Sequence, residues 1–419
     1  MPPVRTERRA ASCVADERIE LLEGETKMVA TDRPVLSEEI LTRCRERAAT
    51  YDDENRFFEE DFEDLREAGY LLMAVPEDLG GRGMLLPDVA REQRRLAYHA
   101  PATALAMNMH VYWTGIAADL RRAGDDSMEW LLKEAADGAV FAAGHAERGN
   151  DLPVLLSTTT AERDGDGYRF TGHKSFGSLS PVWTYLGLHG MDTSDPEAPK
   201  IVHGFLHRDA EGFKIVDNWD VLGMRATRSD DTVLEGAFVP DERIPRVIPA
   251  GAAGADAFIV ALFAWALTGF SNVYYGLAQR ALDLTIENVK KKTSLAMTRS
   301  MAYHPEVQHA VAEMVIEVES IGPQLEKLAQ DWADGVDYGL GWFTKILSAK
   351  YRAVEGSWRV VDMALEVAGG FGISKQSELE RIFRDARLGR IHPTNAMLTR
   401  EILGKVALGI DLDEQPRWG

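Results

Sequence analysis

Hydrophobic and polar positions along the chain fall into three successive textures. From Leu36 to about residue 138 the apolar residues recur with a helical period. "LSEEILTRCRERAATYDDENRFFEEDFEDLREAGYLL" offers Ser37 as an N-cap before glutamates in the first turn, and Gly69 closes the run. "VPEDLGGRGM" (75–84) reads as a turn-rich loop. "LPDVAREQRRLAYHA" and "PATALAMNMHVYWTGIAADLRRAG" then predict further helices.

From Phe141 to about Arg246 the period changes. "STTTAERDGDGYRFTGHKSFGSLS" alternates β-forming residues with Gly and Asp, and Asp164-Gly165-Asp166-Gly167 predicts a hairpin tip. "IVHGFLHRDAEGFKIV" and "DTVLEGAFVP" continue as strands. From Asp256 the helical texture returns. "AFIVALFAWALTGFSNVYYGLAQRALDLTIENVKKK" predicts one long helix that ends in lysines and is apolar on more than one face, hence buried among other helices or subunits. Trp358, Val361, Leu365 and Ala368 keep helical spacing up to Gly369-Gly370. A basic helix then runs into Ile391-His392-Pro393-Thr394-Asn395 and restarts. The class is α+β. The expected divisions are a mobile tail over 1–34, a helical domain over 35–140, a β domain over 141–250 and a helical bundle over 251–419.

Composition narrows the partners. A chain of 419 residues is too long for one simple core. A formal net charge of −20 argues against binding nucleic-acid backbones, which requires a basic surface. Arg384, Arg387, Arg390 and Arg400 read as a solvated helix face. Cys13 and Cys44 make neither a disulfide framework nor a thiolate metal site, and no histidine pair has metal-ligand spacing, so no metal is expected. The N-terminus has an Arg pair without an apolar stretch behind it, and no apolar run reaches membrane-spanning length. The expectation is a cytoplasmic protein with no membrane partner.

Five stretches carry a family resemblance in chain order. They are "AVPEDLGGRGM" (74–84), "FAAGHAERGND" (141–151), "GHKSFGSLS" (172–180), "VLGMRATRSDDTVLEGAFVPDERI" (221–244) and "EVAGGFGISKQSELERIFRDARLGRI" (366–391). Together they resemble the acyl-CoA dehydrogenase superfamily of flavoproteins over roughly residues 36–410. The resemblance implies an N-terminal helical domain, a central β domain and a C-terminal four-helix bundle. It also implies a homotetramer or homodimer with FAD, or FMN, between sheet and bundle.

The same resemblance carries roles onto this chain. Phe141, Gly144, Gly149 and Asn150 fall on the flavin loop, and Phe176 stands where a Trp usually packs on the flavin. Ser178 offers a hydroxyl near flavin N5. Gly369, Gly370 and Gly372 would let backbone approach a neighbour's cofactor phosphate, and Asn395 and Met397 complete the cofactor set. Arg225 would hold a loop between strands by charge-assisted hydrogen bonds. His110 would line the substrate cavity or sit satisfied in a packed helix. Tyr112, Trp113, Tyr274 and Tyr275 could line it too, although core packing accounts for them better.

The departures decide the chemistry. Dehydrogenation of this type needs a carboxylate placed to take an α-proton. Where relatives have it after the Arg-Asp-Ala helix, an ungapped alignment puts Pro393, between His392 and Thr394. The second place known in the family holds Ala266 and Leu267. His145 replaces the flavin-loop Glu, and Ser294 stands for an Arg that holds the pyrophosphate, with Arg299 or Lys290 to Lys292 as substitutes, which leaves FAD against FMN open. Three readings result. One is a flavin-dependent oxidoreductase of acyl-CoA dehydrogenase type with a non-standard site, in which His392 is the base. The second is a two-component monooxygenase that receives reduced flavin from a reductase, with His110, Ser178, His392 and Asn395 as neutral donors. The third is a catalytically silent flavin-binding protein. The substrate is a small molecule, either an acyl-CoA or a hydrophobic or aromatic compound. His392, Ser178 and His110 are the candidate catalytic residues.

Overall fold

The computed structural model describes residues 34–152 and 154–414. The tail expected over 1–34 lies outside them but for Pro34. From Val35 onward the chain forms one compact unit.

Five helices come first: α1 (Glu38–Asp53), α2 (Glu59–Glu67), α3 (Leu86–His99), α4 (Pro101–Arg122) and α5 (Glu129–Ala136). Ser37 caps α1, its hydroxyl accepting from the Ile40 amide at 3.3 Å. The single run expected up to Gly69 is two helices. Asn55 takes a left-handed conformation (φ 50°) between them, which Asn tolerates, and its amide donates to the Trp219 carbonyl at 2.7 Å.

Eight strands follow: β1 (Phe141–Gly144), β2 (Thr160–Asp164), β3 (Gly167–Gly177), β4 (Tyr185–Asp192), β5 (Lys200–His207), β6 (Phe213–Val216), β7 (Asp230–Pro240) and β8 (Arg246–Pro249). They form one sheet in the order β6-β7-β3-β2-β4-β5-β8, with β1 parallel to β4. The expected hairpin tip joins β2 to β3, where Asp164 pairs with Gly167.

The remaining helices are α6 (Ala257–Lys291), α7 (Pro305–Ala333), α8 (Gly341–Ala368), α9 (Glu378–Gly389) and α10 (Ala396–Leu408). Asp256 caps α6 by accepting from the Ile259 amide at 3.0 Å. This helix is about 52 Å long at 1.5 Å per residue. Contrary to the expectation from sequence, it is long and apolar enough to cross a membrane, but 78% of its most apolar 18-residue window is buried inside the protein. Its apolar faces are covered by neighbouring helices, and each fully buried Leu or Phe contributes about 1.5–3 kcal/mol. At Gly276 a side chain would meet the Arg94 carbonyl oxygen at 2.4 Å, so the absence of one sets how closely α6 approaches α3.

The loop before β7 is tied to α9. Asp385 accepts from the Met224 amide at 2.5 Å, and Arg384 donates to the Leu222 carbonyl at 3.0 Å. A Cβ on Gly223 would fall 2.5 Å from Arg384 backbone atoms, so only glycine allows this contact. Arg384 also grips both oxygens of Asp52 and those of Glu380. It is a mostly buried clamp and not part of a solvated face. Arg225 completes the junction, donating to the carbonyls of Asp52 (2.8 Å) and Val221 (3.0 Å).

Candidate active site

A cavity of about 560 Å³ lies between the sheet and the helices. Its helical side is apolar, with Leu105 and Met109 of α4 and Leu262, Phe263, Leu267 and Phe270 of α6. Polar groups enter at three places: the 145–151 loop with the end of β3, the 227–229 turn before β7, and the turn between α9 and α10.

On the sheet side Glu147 is the centre of a buried polar cluster. Lys174 donates to it at 2.5 Å and Ser157 at 2.7 Å, and Thr159 donates through both hydroxyl (2.7 Å) and amide (3.2 Å). The Thr158 amide and the Asn150 side chain supply two more donors, at 2.8 and 2.9 Å. Burial opposes ionisation of Glu147, but Lys174 and these hydroxyls outweigh it and hold the carboxyl down at about 2. A carboxylate with six donors is unsuited to taking a proton from a ligand. Asp151, the other carboxylate on the cavity, is exposed and not free of partners.

Beside this cluster the His145 ring faces His189, Nδ1 to Nδ1 at 3.3 Å, and burial lowers its pKa to about 3, with His203 and Lys174 adding repulsion. Next come Phe176, 56% exposed at the cavity rim, and the buried hydroxyls of Ser178, Ser229 and Thr227.

On the helical side the turn 391–395 presents His392, Pro393, Thr394 and Asn395 to the cavity. The His392 ring stacks on Phe270 at 4.9 Å and meets Tyr274 at 5.8 Å. Burial, reinforced by Lys350, lowers its pKa to about 3, so the imidazole is neutral at pH 7. The Lys350 side chain reaches the turn from α8 and donates to the carbonyls of His392 (3.0 Å) and Thr394 (2.7 Å). Asn395 caps α10, its side-chain oxygen accepting from the amides of Met397 and Leu398, both at 3.0 Å. Its amide NH2 remains available to the cavity.

The family patterns described as acyl-CoA dehydrogenase, N-terminal domain and acyl-CoA dehydrogenase, C-terminal domain match residues 30–133 and 268–396. The chain belongs to the acyl-CoA dehydrogenase superfamily. Among relatives, the amino sugar nitrososynthase DnmZ of Streptomyces peucetius is 29% identical over 355 residues, covering 83% of this chain and 86% of its own. The putative acyl-CoA dehydrogenase YdbM of Bacillus subtilis is 27% identical over 357 residues, covering 84% and 91%. Among solved structures, KijD3 in complex with FMN and dTDP-3-amino-2,3,6-trideoxy-4-keto-3-methyl-D-glucose superposes with a TM-score of 0.80. It is 25% identical, covering 93% of this chain and 98% of that one.

Superfamily members are flavin-dependent oxidoreductases that bind FAD or FMN. The cavity fits such a ring on its own chemistry. It is mostly apolar, and three buried wall atoms have no hydrogen-bond partner within the protein: His145 Nε2, His392 Nε2 and Thr394 Oγ1. A flavin edge with donors and acceptors around its periphery could satisfy such atoms.

Of the residues singled out from sequence, Asn150, Phe176, Ser178, His392 and Asn395 line the cavity. His110 does not. It is fully buried in α4, where Nε2 donates to the Leu71 carbonyl at 2.9 Å and Nδ1 accepts from the Phe141 amide at 3.2 Å. Both ring nitrogens are spent on backbone, so the histidine is a packing element. Phe141 stacks on Tyr185 in the core at 5.2 Å, away from the cavity. Gly144 in β1 and Gly149, a left-handed turn residue, flank lining residues without lining it themselves. Gly369 and Gly370 follow the end of α8 on the surface, Gly372 is buried against Leu365 and Ala368, and Met397 is 76% exposed. Tyr112 lines the cavity, whereas the Trp113 indole donates to the Ala142 carbonyl at 3.0 Å in the core.

Four features were missed in the sequence: Lys350, the Lys174–Glu147 pair, the Ser229–Thr227 hydroxyls and Thr394 as a lining group. Lys350 had a signal, since it occupies the apolar face of α8 shared by Ile346, Leu347, Ala353 and Val354. A lysine on such a face needs acceptors brought to it.

Proposed function

We propose that the protein is a flavin-dependent monooxygenase that receives reduced flavin from a separate reductase and oxygenates a small, largely uncharged acceptor. The observation that carries this reading is the turn 391–395. It offers a neutral imidazole, a proline and a hydroxyl where dehydrogenation would need a carboxylate, and Glu147 is held ionised by its own donors. The similarity to nitrososynthases supports it.

Bound flavin would supply the electron pair, so that one atom of dioxygen goes to the acceptor and the other leaves as water. The chain's own part is to exclude water and to present neutral hydrogen-bonding groups. Leu262, Leu267 and Phe270 supply the dry wall. His392 Nε2 and Thr394 Oγ1 are positioned groups for a polar atom of a ligand, and a neutral ring gives or takes a hydrogen bond without bringing a full charge into an apolar site. Phe176 and Ser178 would hold the flavin from the sheet side, while the Asn150 side chain is spent on Glu147, Leu156 and Leu152 and only shapes the wall. Assembly as a homodimer or homotetramer is supported by exposed Phe371 and Ile373 beside the exposed Gly369 and Gly370, and by exposed Met397 and Leu408.

The test is stopped-flow absorbance. Photoreduced, flavin-loaded protein mixed with oxygen should show a transient spectrum that is neither reduced nor oxidised flavin. Absence of that transient, together with anaerobic bleaching of the flavin by butyryl-CoA, would return the protein to the dehydrogenase reading.

A further inference from the structure

Three hydroxyls run along the sheet-side wall. Ser178, Ser229 and Thr227 all line the cavity, and all three residues are more than nine-tenths buried. Oγ of Ser178 lies 2.7 Å from Oγ of Ser229, which lies 2.7 Å from Oγ1 of Thr227. The row ends at the Met224 carbonyl, 2.8 Å from Thr227 Oγ1.

That last contact fixes the direction of the whole row. A carbonyl can only accept, and each hydroxyl has one proton to give. Thr227 donates to Met224, so Ser229 must donate to Thr227, and Ser178 must donate to Ser229. Ser178 then has no proton left for the cavity. It presents a lone pair.

We propose that this row makes Ser178 a hydrogen-bond acceptor towards the cavity and thereby selects reduced flavin over oxidised flavin. The inference rests on the flavin reading above. With N5 facing Ser178, the placement that the resemblance implies, reduced flavin offers a hydrogen that a lone pair can accept, whereas oxidised flavin has a bare acceptor there and would meet Ser178 lone pair to lone pair. Turning the row round requires all three protons to rotate together and gives up the Thr227–Met224 bond. The Met224 carbonyl keeps other donors, the Thr227 amide at 3.1 Å and the Trp219 indole at 3.4 Å, so the reversal is only moderately costly. The preference due to the row is therefore on the order of tenfold in affinity. A protein that must capture reduced flavin from solution and release the oxidised form gains from this polarity.

The test is the ratio of dissociation constants for oxidised and reduced FMN, measured anaerobically by quenching of tryptophan fluorescence. The full chain is compared with Thr227→Val and Ser229→Ala. Either substitution frees Ser178 to donate, so the ratio of oxidised to reduced constants should fall about tenfold from the wild-type value. Far-ultraviolet circular dichroism identifies a variant that has not folded, and the other variant then carries the test. A ratio unchanged in a folded variant overturns the inference and leaves the flavin reading standing. Failure of wild-type protein to bind FMN or FAD in either redox state overturns both.

Discussion

The cavity is backed by two buried lysines, and their surroundings are opposite. Lys174, behind the sheet-side wall, meets a carboxylate at 2.5 Å and the His189 carbonyl at 2.5 Å. Lys350, behind the helical wall, meets only carbonyls, those of His392 and Thr394. The first ammonium belongs to a closed network in which charge is balanced and Glu147 is saturated. The second holds a turn by charge–dipole attraction with only the more distant Glu355 to balance it, and burial lowers its pKa to about 7. The unpartnered cavity atoms divide unevenly as well. Two of the three, His392 Nε2 and Thr394 Oγ1, lie on the turn that Lys350 holds. The sheet side is built to stay as it is, whereas the helical side keeps its hydrogen-bonding capacity open for a ligand.

The strongest way to break this contrast is to open the closed network. Glu147→Gln keeps the shape but strands the Lys174 ammonium, and should cost about 3–5 kcal/mol in denaturant unfolding. The double variant Glu147→Gln/Lys174→Met should recover most of that loss, because removing both charges leaves no unpaired ion. The pH dependence has a definite sign. The Glu147 carboxyl is depressed from 4.5 to about 2, so its contribution is complete above about pH 4.5 and is lost as pH falls towards 2. Urea midpoints between pH 5 and pH 3 should fall more steeply for the wild type than for the double variant.

Lys350 should show the reverse economy of charge. Its pKa is lowered from 10.5 to about 7, so the unfolded chain binds more protons between those values. Stability therefore rises with pH through that window, and as pH falls it declines from about 10.5 to about 7 and is level below. Between pH 7 and pH 9 this one group adds at most about 2.7 kcal/mol, two pH units at 1.36 kcal/mol each. Lys350→Met should remove that increment from the difference in unfolding free energy between the two pH values. An identical pH difference in wild type and variant would show that the ammonium is not buried as the structure has it.

A smaller effect is expected at the ligand-facing end of the same turn. His392→Ala should shorten the lifetime of the oxygen-dependent transient by about tenfold or more, in the range of a positioned hydrogen-bonding group that meets developing charge. FMN affinity should stay within about twofold, since the loss is of one hydrogen-bonding group and not of the cavity wall. A lifetime unchanged in this variant would move the functional centre away from the turn.

What the sequence disclosed follows the same division. The three textures, the Asp164–Gly167 hairpin, the long α6 and the break at 391–395 are local in origin, and local patterns state them directly. The break also drew attention to His392, which lines the cavity, because a proline between polar residues inside a helical region demands an explanation. His110 misled, because a histidine in a helix of relatives' cavity residues says nothing of the Leu71 carbonyl and Phe141 amide that fold onto it from other segments. Glu147 was hidden for a related reason. Its partner Lys174 lies 27 residues away, and only the pairing of the loop with β3 brings them together. Arg384 was read as solvated, because its acceptor Asp52 is 332 residues distant. Charges balanced over such distances leave no periodic trace.

The finest test of the contrast is Phe176, the one aromatic ring that the sheet side leaves substantially open to the cavity. It touches Trp219 edge-on at 6.1 Å, its backbone is left-handed at φ 61°, and its amide donates to Asp231 at 3.3 Å. Phe176→Ala keeps that backbone and removes only the ring, so stability should change little. If the ring packs on the flavin, its removal should weaken FMN binding by about 0.5–1.5 kcal/mol, a factor of roughly 2 to 10 in the dissociation constant. Phe176→Trp, which restores a broad ring, should recover the affinity. Loss of affinity in Ala with recovery in Trp would make the sheet side a rigid platform with one exposed contact. If Phe176→Ala binds FMN as the wild type does, the platform lies elsewhere, and the closed Glu147 network serves the fold alone.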